Sequence, residues 1–358
     1  QHEGIEYRSV AGTGVLARIE GTKACVGRER DALVLRADMD ALPIQEKTGL
    51  PFESKVPGVM HACGHDIHTS NLLTVAEILN RTKDQWKGKV KLVFQPAEEN
   101  GGGGREMIKA GLMDEIPDAC FALHVENGIP GKIVVGSRYL TAYSDSYKIT
   151  VHGKAAHSST PEEGVDAVYI AASIVTALHG IISRNISPMD RATLNVGMIH
   201  GGTAPNIIAD EVTLGVMLRN LSKESREAMM KKIETISNGI AESMGGSCDL
   251  AFRAGYAAVY NDEKFSDFVA ATFRKYEDII HEDLGDGKPE DWLITGEHPL
   301  LGAEDFGFYS QKAPSCMIWV GVGGNSPKHS PGFCIDERYI KLCTRAMAMT
   351  ALEYLTKE

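Results

Sequence analysis

Short apolar segments alternate with helical patterns over residues 13–143, and this alternation restricts the fold more than any other feature of the sequence. Apolar residues recur three or four positions apart at Leu72, Val75 and Leu79, which predicts one buried helix face. Strands interleaved with such helices are typical of an α/β sheet. The predicted order is strand, strand, helix, strand and helix, over 14–19, 32–39, 69–81, 89–95 and 104–113.

The pattern changes between residues 144 and 254. Four apolar strands and two helices occur there in the order β-α-β-β-α-β, which can close as a four-stranded sheet with two helices on one face. After residue 255 the helix and strand pattern of the first part resumes. We therefore predict a discontinuous α/β domain over 1–143 and 255–358, with an inserted α+β domain over 144–254.

Length and composition favour two domains and exclude several classes of function. At 358 residues the chain is long for a single core. Its formal net charge of −11 argues against a nucleic-acid partner, which would require a basic face. No stretch approaches 18 uninterrupted apolar residues, so we expect no membrane span. The sequence starts at Gln1, which leaves open a leader that has been removed.

The seven cysteines are scattered, odd in number and without a CxxC pair. This pattern favours reduced thiols and a cytoplasmic location over a disulfide framework. Cys63 is the exception, because it lies in a polar cluster. The other six sit mostly in apolar company and are predicted to be small buried side chains: Cys25, Cys120, Cys248, Cys316, Cys334 and Cys343.

The stretch "GVMHACGHDIH" at 58–68 concentrates three histidines, a cysteine and an aspartate. In an extended segment alternate residues face the same way, so Cys63 and His65 can aim at one point while Gly64 allows a tight turn. A thiolate and an imidazole suit Zn, Mn, Fe or Co. The same residues are compatible with a Cys/His nucleophile or with a structural turn.

The remaining polar residues of this stretch have simpler interpretations. Asp66 is assigned to the first turn of the following helix, where a carboxylate complements the helix dipole. His61 and His68 are predicted to pack against neighbours or to support the ligands. The number of histidines in the stretch therefore overstates the number of ligands.

Four further polar clusters also follow apolar runs. They are the pair Asp38 and Asp40, the pair Glu98 and Glu99, the single His124, and His329 between two prolines. Each has a plain explanation alone, as a solvated acidic loop or a packed histidine. Together they indicate a site, because a parallel sheet brings its strand ends to one edge. Five ligands would then be available, enough for two metals only if a water or a carboxylate bridges them: Cys63, His65, Glu99, His124 and His329.

Eight motifs occur in a characteristic order: "RADMDALPI", "HACGHDIHT", "PAEE", "LHV", "GKAAHSS", "GGTAPNIIAD", "EDFGFY" and "HSPGF". In this order they resemble the aminoacylase and carboxypeptidase family of dinuclear metallopeptidases. Within it the resemblance is to the amidohydrolase branch of N-acyl-amino-acid deacylases, hippurate hydrolases and auxin-conjugate hydrolases. It implies a zinc-peptidase-like catalytic domain with a central mixed sheet and a ferredoxin-like lid and dimerisation domain.

The resemblance also implies roles for residues of the first domain. Glu98 would be the general base, which takes a proton from an activated water and returns it to the leaving amine. Asp40 matches the family aspartate that orients this region. The stretch "GAEDFGFY" lies near the pocket in relatives, but Glu304, Asp305 and Phe306 could equally be scaffold and are left unassigned. Two divalent ions, Mn, Zn, Co or Ni, would be held by Cys63, His65, Glu99, His124 and His329.

Three residues of the inserted domain match family positions in the same way. His157 would polarise the scissile carbonyl or stabilise the oxyanion, and it would enter the site of the partner subunit in a homodimer formed through the lid. Asn206 and Arg219 match positions that hold the substrate carboxylate. Taken alone, His157 and Arg219 would be interpreted as surface residues.

The favoured hypothesis is a metal-dependent amidohydrolase that cleaves N-acyl-amino acids, such as acetyl or benzoyl derivatives, to a carboxylic acid and an amino acid. A dipeptidase or exopeptidase of the same family is the nearest alternative. A non-catalytic metal-binding module is a second alternative. Thiol catalysis by Cys63 with His65 as base is a third, although residues two positions apart rarely reach productive nucleophile-to-base geometry.

Overall fold

The computed structural model describes residues 4–23, 31–285, 287–324 and 326–357, so the predicted buried Cys25 lies outside the described residues. The chain forms two compact units. The first comprises Gln1–Leu140, Val259–His298 and Asp305–Glu358, and the second comprises Thr141–Ala258 and Pro299–Glu304. The predicted boundaries at 144 and 254 lie a few residues inside the second unit, and the sequence pattern did not indicate the 299–304 segment.

The first unit is built on an eight-stranded mixed sheet. Its elements are β1 (Glu6–Val10), β2 (Gly14–Glu20), β3 (Asp31–Asp38), α1 (His65–Arg81), β4 (Lys89–Gln95), α2 (Gly103–Met107), β5 (Ala119–Glu126), β6 (Ile133–Gly136), β7 (Arg138–Tyr139), β14 (Tyr260–Asn261), α5 (Glu263–Lys275), α6 (Glu277–Ile280), β15 (Leu293–Gly296), α7 (Gly307–Ser310), β16 (Ser315–Gly321) and α8 (Ile340–Thr356). The strand order in the sheet is β1-β2-β4-β3-β5-β16-β6-β15.

Four central strands of this sheet run in the same direction. Strand β3 pairs in parallel with β4 and β5, and β16 pairs in parallel with β5. Their carboxyl ends therefore meet at one edge, at Asp38, Gln95, Glu126 and Gly321. Polar loops that follow these ends are brought together even though they are far apart in sequence.

Helix α1 covers part of the sheet and sets the position of the polar cluster before it. The predicted apolar stripe is buried, with Leu72, Val75 and Leu79 fully inaccessible, and α1 packs against α8. Truncating such a leucine typically costs about 2–5 kcal/mol. The helix begins at His65, four residues before the predicted start, so His65 and His68 both lie in its first turn.

The second unit contains a four-stranded antiparallel sheet and two long helices. Its elements are β8 (Tyr143–His152), β9 (Ala156–His157), α3 (Ala167–Asn185), β10 (Ala192–Gly201), β11 (Ile207–Ile208), β12 (Glu211–Asn220), α4 (Lys223–Ser243) and β13 (Ser247–Tyr256). The strand order is β10-β12-β8-β13, and helices α3 and α4 pack against each other and against this sheet. The unit confirms the predicted α+β arrangement with ferredoxin-like strand order.

Within the described residues, α3 is the one helix that is long and apolar enough to cross a membrane by length and composition. Its inner residues Ile170, Ile174 and Leu178 are buried in the core of the second unit. Packing against the sheet thus accounts for the apolar face of this helix.

The segment Pro299–Glu304 joins the second unit through its backbone carbonyls. Ala142 donates its backbone N–H to the carbonyl of Gly302 at 2.9 Å. The guanidinium of Arg219 donates to the carbonyl of Leu301 at 3.1 Å. Hydrogen bonds to backbone carbonyls do not require a periodic pattern of apolar residues. The sequence pattern therefore did not assign this segment to the second unit.

Candidate metal centre

The strand-end loops of the first unit bring five predicted ligands together. The Sγ atom of Cys63 lies 3.4 Å from Nε2 of His124 and 3.4 Å from Nε2 of His329. Oε1 of Glu99 lies 3.0 Å from Nε2 of His329. Donor atoms lie within 4.8 Å of one another in three overlapping groups: Cys63 with His65 and His124, Cys63 with Glu99 and His329, and His65 with Glu98 and Glu99.

The two buried histidines each direct an Nε2 atom toward the cluster. Nδ1 of His65 donates to the carbonyl of Asp40 at 2.9 Å, and Nδ1 of His124 donates to the carbonyl of Val125 at 2.6 Å. Nε2 of His65 is buried and has no hydrogen-bond partner among the described residues. A buried polar atom without a partner is uncommon in proteins, and a bound ion is one of its ordinary explanations. The donor set of sulfur, imidazole and carboxylate therefore fits a borderline transition-metal ion.

The protonation of the cluster is set by burial and by nearby carboxylates. Burial raises the pKa of the Cys63 thiol to about 11. Burial alone would lower the pKa of His65, but the negative charge of Asp38 and the hydrogen bond to Asp40 raise it to about 12. Metal binding would have to displace a proton from both side chains, so metal affinity should rise with pH.

Asp40 holds the backbone of the two adjacent glutamates. Its Oδ1 accepts from the backbone N–H of Glu98 at 2.9 Å, and its Oδ2 accepts from that of Glu99 at 3.0 Å. Its own carbonyl accepts from His65. Glu98 is itself buried. One residue thus contacts both the glutamate loop and a histidine ring, and the orienting role of Asp40 stays a prediction.

A model of peptidase family M20/M25/M40 matches residues 34–353. The chain belongs to this family. The match confirms the resemblance seen in the sequence motifs and the predicted fold class. As a member of the M20 family, the chain is a hydrolase that acts on C–N amide bonds.

The chain is also similar to proteins named as a carboxypeptidase and a deacetylase. Thermostable carboxypeptidase 1 of Saccharolobus solfataricus is 35% identical over 99% of this chain and 88% of its own length. N-acetylcysteine deacetylase of Bacillus subtilis is 33% identical over 95% of this chain and 84% of its own. A Bacillus subtilis structure described as a dinuclear metal-binding peptidase of the M20 family has a TM-score of 0.82 and 30% identity, with 100% of this chain and 90% of that chain covered.

His68 was predicted only to pack against neighbours or to support the ligands, and Asp38 was given no individual role from the sequence. Nδ1 of His68 lies 2.5 Å from Oδ1 of Asp38, and Nε2 of His68 accepts from the backbone N–H of Val125 at 3.0 Å. His68 therefore links the end of β3 to the end of β5, next to His124. The spacing of His65 and His68 by three residues in a helix, which places both on one face, was the available signal.

The remaining three predicted residues lie in the second unit. Nδ1 of the exposed His157 accepts from the backbone N–H of Ser159 at 3.1 Å, which leaves the proton of a neutral ring on Nε2. Asn206 lies beside it, because its carbonyl accepts from Ser158 and Ile207 pairs with His157. Arg219 lies on β12 and, among the described residues, shares no hydrogen bond with His157 or Asn206.

We expect Gly64→Ala to destabilise the protein and to weaken metal binding. Gly64 has a φ of 91°, and an added Cβ would lie 2.3 Å from Cγ2 of Val125. The left-handed backbone alone costs an L-residue about 1–2 kcal/mol, and relief of the overlap would move Cys63 or His65. Thermal unfolding and metal titration measure the two effects.

Gly180→Ala is the matched control. This glycine lies inside α3, and apart from its chain neighbours and the backbone of its own helix no described atom lies within 4 Å of an added Cβ. Alanine there should stabilise the helix by about 0.5–1 kcal/mol and leave metal affinity unchanged. Equal behaviour of the two variants would contradict the role given to Gly64.

Proposed function

We propose that this M20 hydrolase is a metal-dependent amidohydrolase that cleaves N-acyl-amino acids to a carboxylic acid and an amino acid. The observation that carries the proposal is the buried Nε2 of His65, which has no hydrogen-bond partner among the described residues and shares donor groups with Cys63, Glu98 and Glu99. A relative named N-acetylcysteine deacetylase supports the substrate class.

Two divalent ions, chosen from Mn, Zn, Co and Ni, are proposed as cofactors. Cys63 is shared by two of the overlapping donor groups. When bound, such ions polarise a substrate carbonyl and lower the pKa of a water molecule. A solved relative described as dinuclear supports the number of ions. The proposed ligands are Cys63, His65, Glu99, His124 and His329.

Glu98 is proposed as the general base. It is buried next to the donor groups, and Asp40 fixes its backbone. Its carboxylate would accept a proton from the attacking water and return it to the nitrogen of the leaving amine. Its immediate neighbour Glu99 would serve as a ligand, which separates proton transfer from metal binding.

The second unit is proposed to bind the substrate. The Nε2–H of His157 is the donor that a developing oxyanion requires. Asn206 and Arg219 would hold the substrate carboxylate, and an arginine can do so with two hydrogen bonds.

We further propose a homodimer formed through the second unit. Strand β10 lies at the edge of its sheet. Met198 and Ile199 on this strand are more than half exposed, which is unusual for large apolar side chains on an unpaired edge. A cytoplasmic location is also proposed, and it is supported by the six free cysteines among the described residues.

A peptidase activity of the same site is the second candidate. It is favoured by the similarity to a protein named thermostable carboxypeptidase 1. Thiol catalysis is not favoured, because burial raises the pKa of Cys63 to about 11 and so disfavours the thiolate nucleophile. Membership of a hydrolase family disfavours the non-catalytic module.

Elemental analysis of the purified protein, together with a substrate panel, tests the proposed function. We expect two metal equivalents per chain and higher kcat/KM for acetyl- or benzoyl-amino acids than for dipeptides. Activity should disappear on chelation and return with added metal. Higher kcat/KM for dipeptides would favour the peptidase, and full activity after exhaustive chelation would contradict the metal-dependent mechanism.

A further inference from the structure

Arg36, Asp38 and Asp305 form a charge network with no exposed side chain. Nη1 of Arg36 donates to Oδ2 of Asp38 at 2.8 Å, and Nη2 donates to Oδ1 of Asp305 at 2.6 Å. Removing three charges from water is costly unless each is paired and hydrogen-bonded. We call these three residues the Arg36 network.

One end of the Arg36 network reaches the histidines of α1. Oδ1 of Asp38 lies 2.5 Å from Nδ1 of His68, and its Oδ2 lies 3.7 Å from Nε2 of His65. The hydroxyl of Thr69 donates to the carbonyl of Asp38 at 3.0 Å. The orientation of the Asp38 carboxylate therefore determines the hydrogen bond of His68 and the ionic contact of His65.

The other end reaches the loop that carries the two glutamates. Asp305 accepts from Nε2 of Gln95 at 2.8 Å and from the backbone N–H of Gly104 at 2.8 Å. Gln95 is the last residue of β4, before the glutamates, and Gly104 follows them. Asp305 is therefore hydrogen-bonded to residues on both sides of this loop. Oxygen atoms of Asp305 and Glu98 also lie within 4.8 Å of each other.

We propose that Asp305 is a positioning residue for the metal centre and for the general base. Through Arg36 it fixes Asp38 against His65 and His68, and through Gln95 and Gly104 it fixes the loop of Glu98 and Glu99. This inference rests on the proposed function. Asp305 acts entirely through other residues, because its carboxylate is occupied by three donor groups of the protein.

Asp305→Asn tests this inference, since asparagine keeps the shape but replaces one acceptor oxygen with a donor. Metal-depleted protein is titrated with Co²⁺ by calorimetry, and the visible spectrum of the loaded protein reports ligand geometry. We expect affinity to fall about 10–100-fold, as for loss of residues that support metal ligands. We also expect an altered spectrum and a lower kcat with little change in KM.

Asp145→Asn is the matched control. Asp145 is a nearly inaccessible carboxylate paired with Arg226 at 2.6 and 3.0 Å in the second unit. Its substitution should lower the unfolding temperature and leave Co²⁺ affinity and spectrum unchanged. The same result for Asp305→Asn would show a purely structural residue and overturn the inference.

Gln95→Met keeps the inference testable if Asp305→Asn does not fold. This variant removes the Gln95 bonds to Asp305, together with those that Gln95 accepts from Nε of Arg36 and from the Tyr309 hydroxyl, and leaves the ion pairs of Arg36 with Asp38 and Asp305 in place. Lower Co²⁺ affinity supports the inference, and wild-type affinity with a wild-type spectrum overturns it. Wild-type protein that binds no metal and cleaves no amide would contradict the proposed function as well, whereas unchanged variants contradict the inference alone.

Discussion

Glu98→Gln is expected to bind metal as the wild type does and to lose kcat by about 10³-fold, within the range for removal of a general base. Glutamine preserves the size of the side chain and its backbone contacts with Asp40. It cannot accept the proton of the attacking water. Single-turnover and steady-state assays measure the loss, and elemental analysis measures the retained metal.

The Glu98 variant also distinguishes between two roles that the geometry allows for Glu98, general base and metal ligand. Glu98 lies within 4.8 Å of donor atoms of His65 and Glu99, so it could be a ligand instead of a base. Loss of a metal equivalent would indicate a ligand, and near-wild-type turnover would contradict the base. Glu106→Gln is the control, because Glu106 is exposed and pairs with Lys109 at the surface. The activity of this variant should be unchanged.

Cys63→Ser is expected to reduce metal affinity by more than about 100-fold, beyond the usual loss for residues that merely support ligands. A serine hydroxyl stays protonated near neutral pH and is a poor ligand for borderline metals. The sulfur lies 3.4 Å from Nε2 of both His124 and His329. Its removal should therefore weaken the binding of both ions and abolish turnover. Equilibrium dialysis with Zn²⁺ measures the stoichiometry.

Cys248→Ser controls for general effects of cysteine replacement. Cys248 is partly buried in the second unit, and its sulfur donates to the carbonyl of Ser237 at 3.6 Å. This variant should keep two metals and full activity. Two tightly held metals in Cys63→Ser would contradict ligation by this sulfur, and loss of turnover with both metals retained would favour thiol catalysis.

The sequence indicates the location of the centre because strand ends are readable from apolar runs. Strand β4 was predicted at 89–95 and observed at Lys89–Gln95, so the glutamates fall where a strand stops. The start of α1 was predicted at 69 but lies at His65. The error follows from Gly64, which occupies the N-cap position without a side-chain cap, so the usual sequence signal is missing.

Long-range polar contacts were less accessible to sequence reasoning. Arg36 and Asp305 are 269 residues apart, and no periodicity links them. The alternation of Asp38 and Asp40 was visible, but it did not reveal that Asp40 accepts two backbone N–H groups. Buried hydrogen bonds depend on the final packing, whereas hydrophobic periodicity depends only on local geometry.

The position of β16 has a consequence for biosynthesis. This strand lies between β5 and β6, both of which leave the ribosome long before it does. Cys63 and His329 are 266 residues apart, which corresponds to roughly 15–50 s of translation at about 5–20 residues per second. Until β16 and His329 are synthesised, the strand that separates β5 from β6 and one of the proposed ligands are both missing, so the complete ligand set becomes available only late in translation.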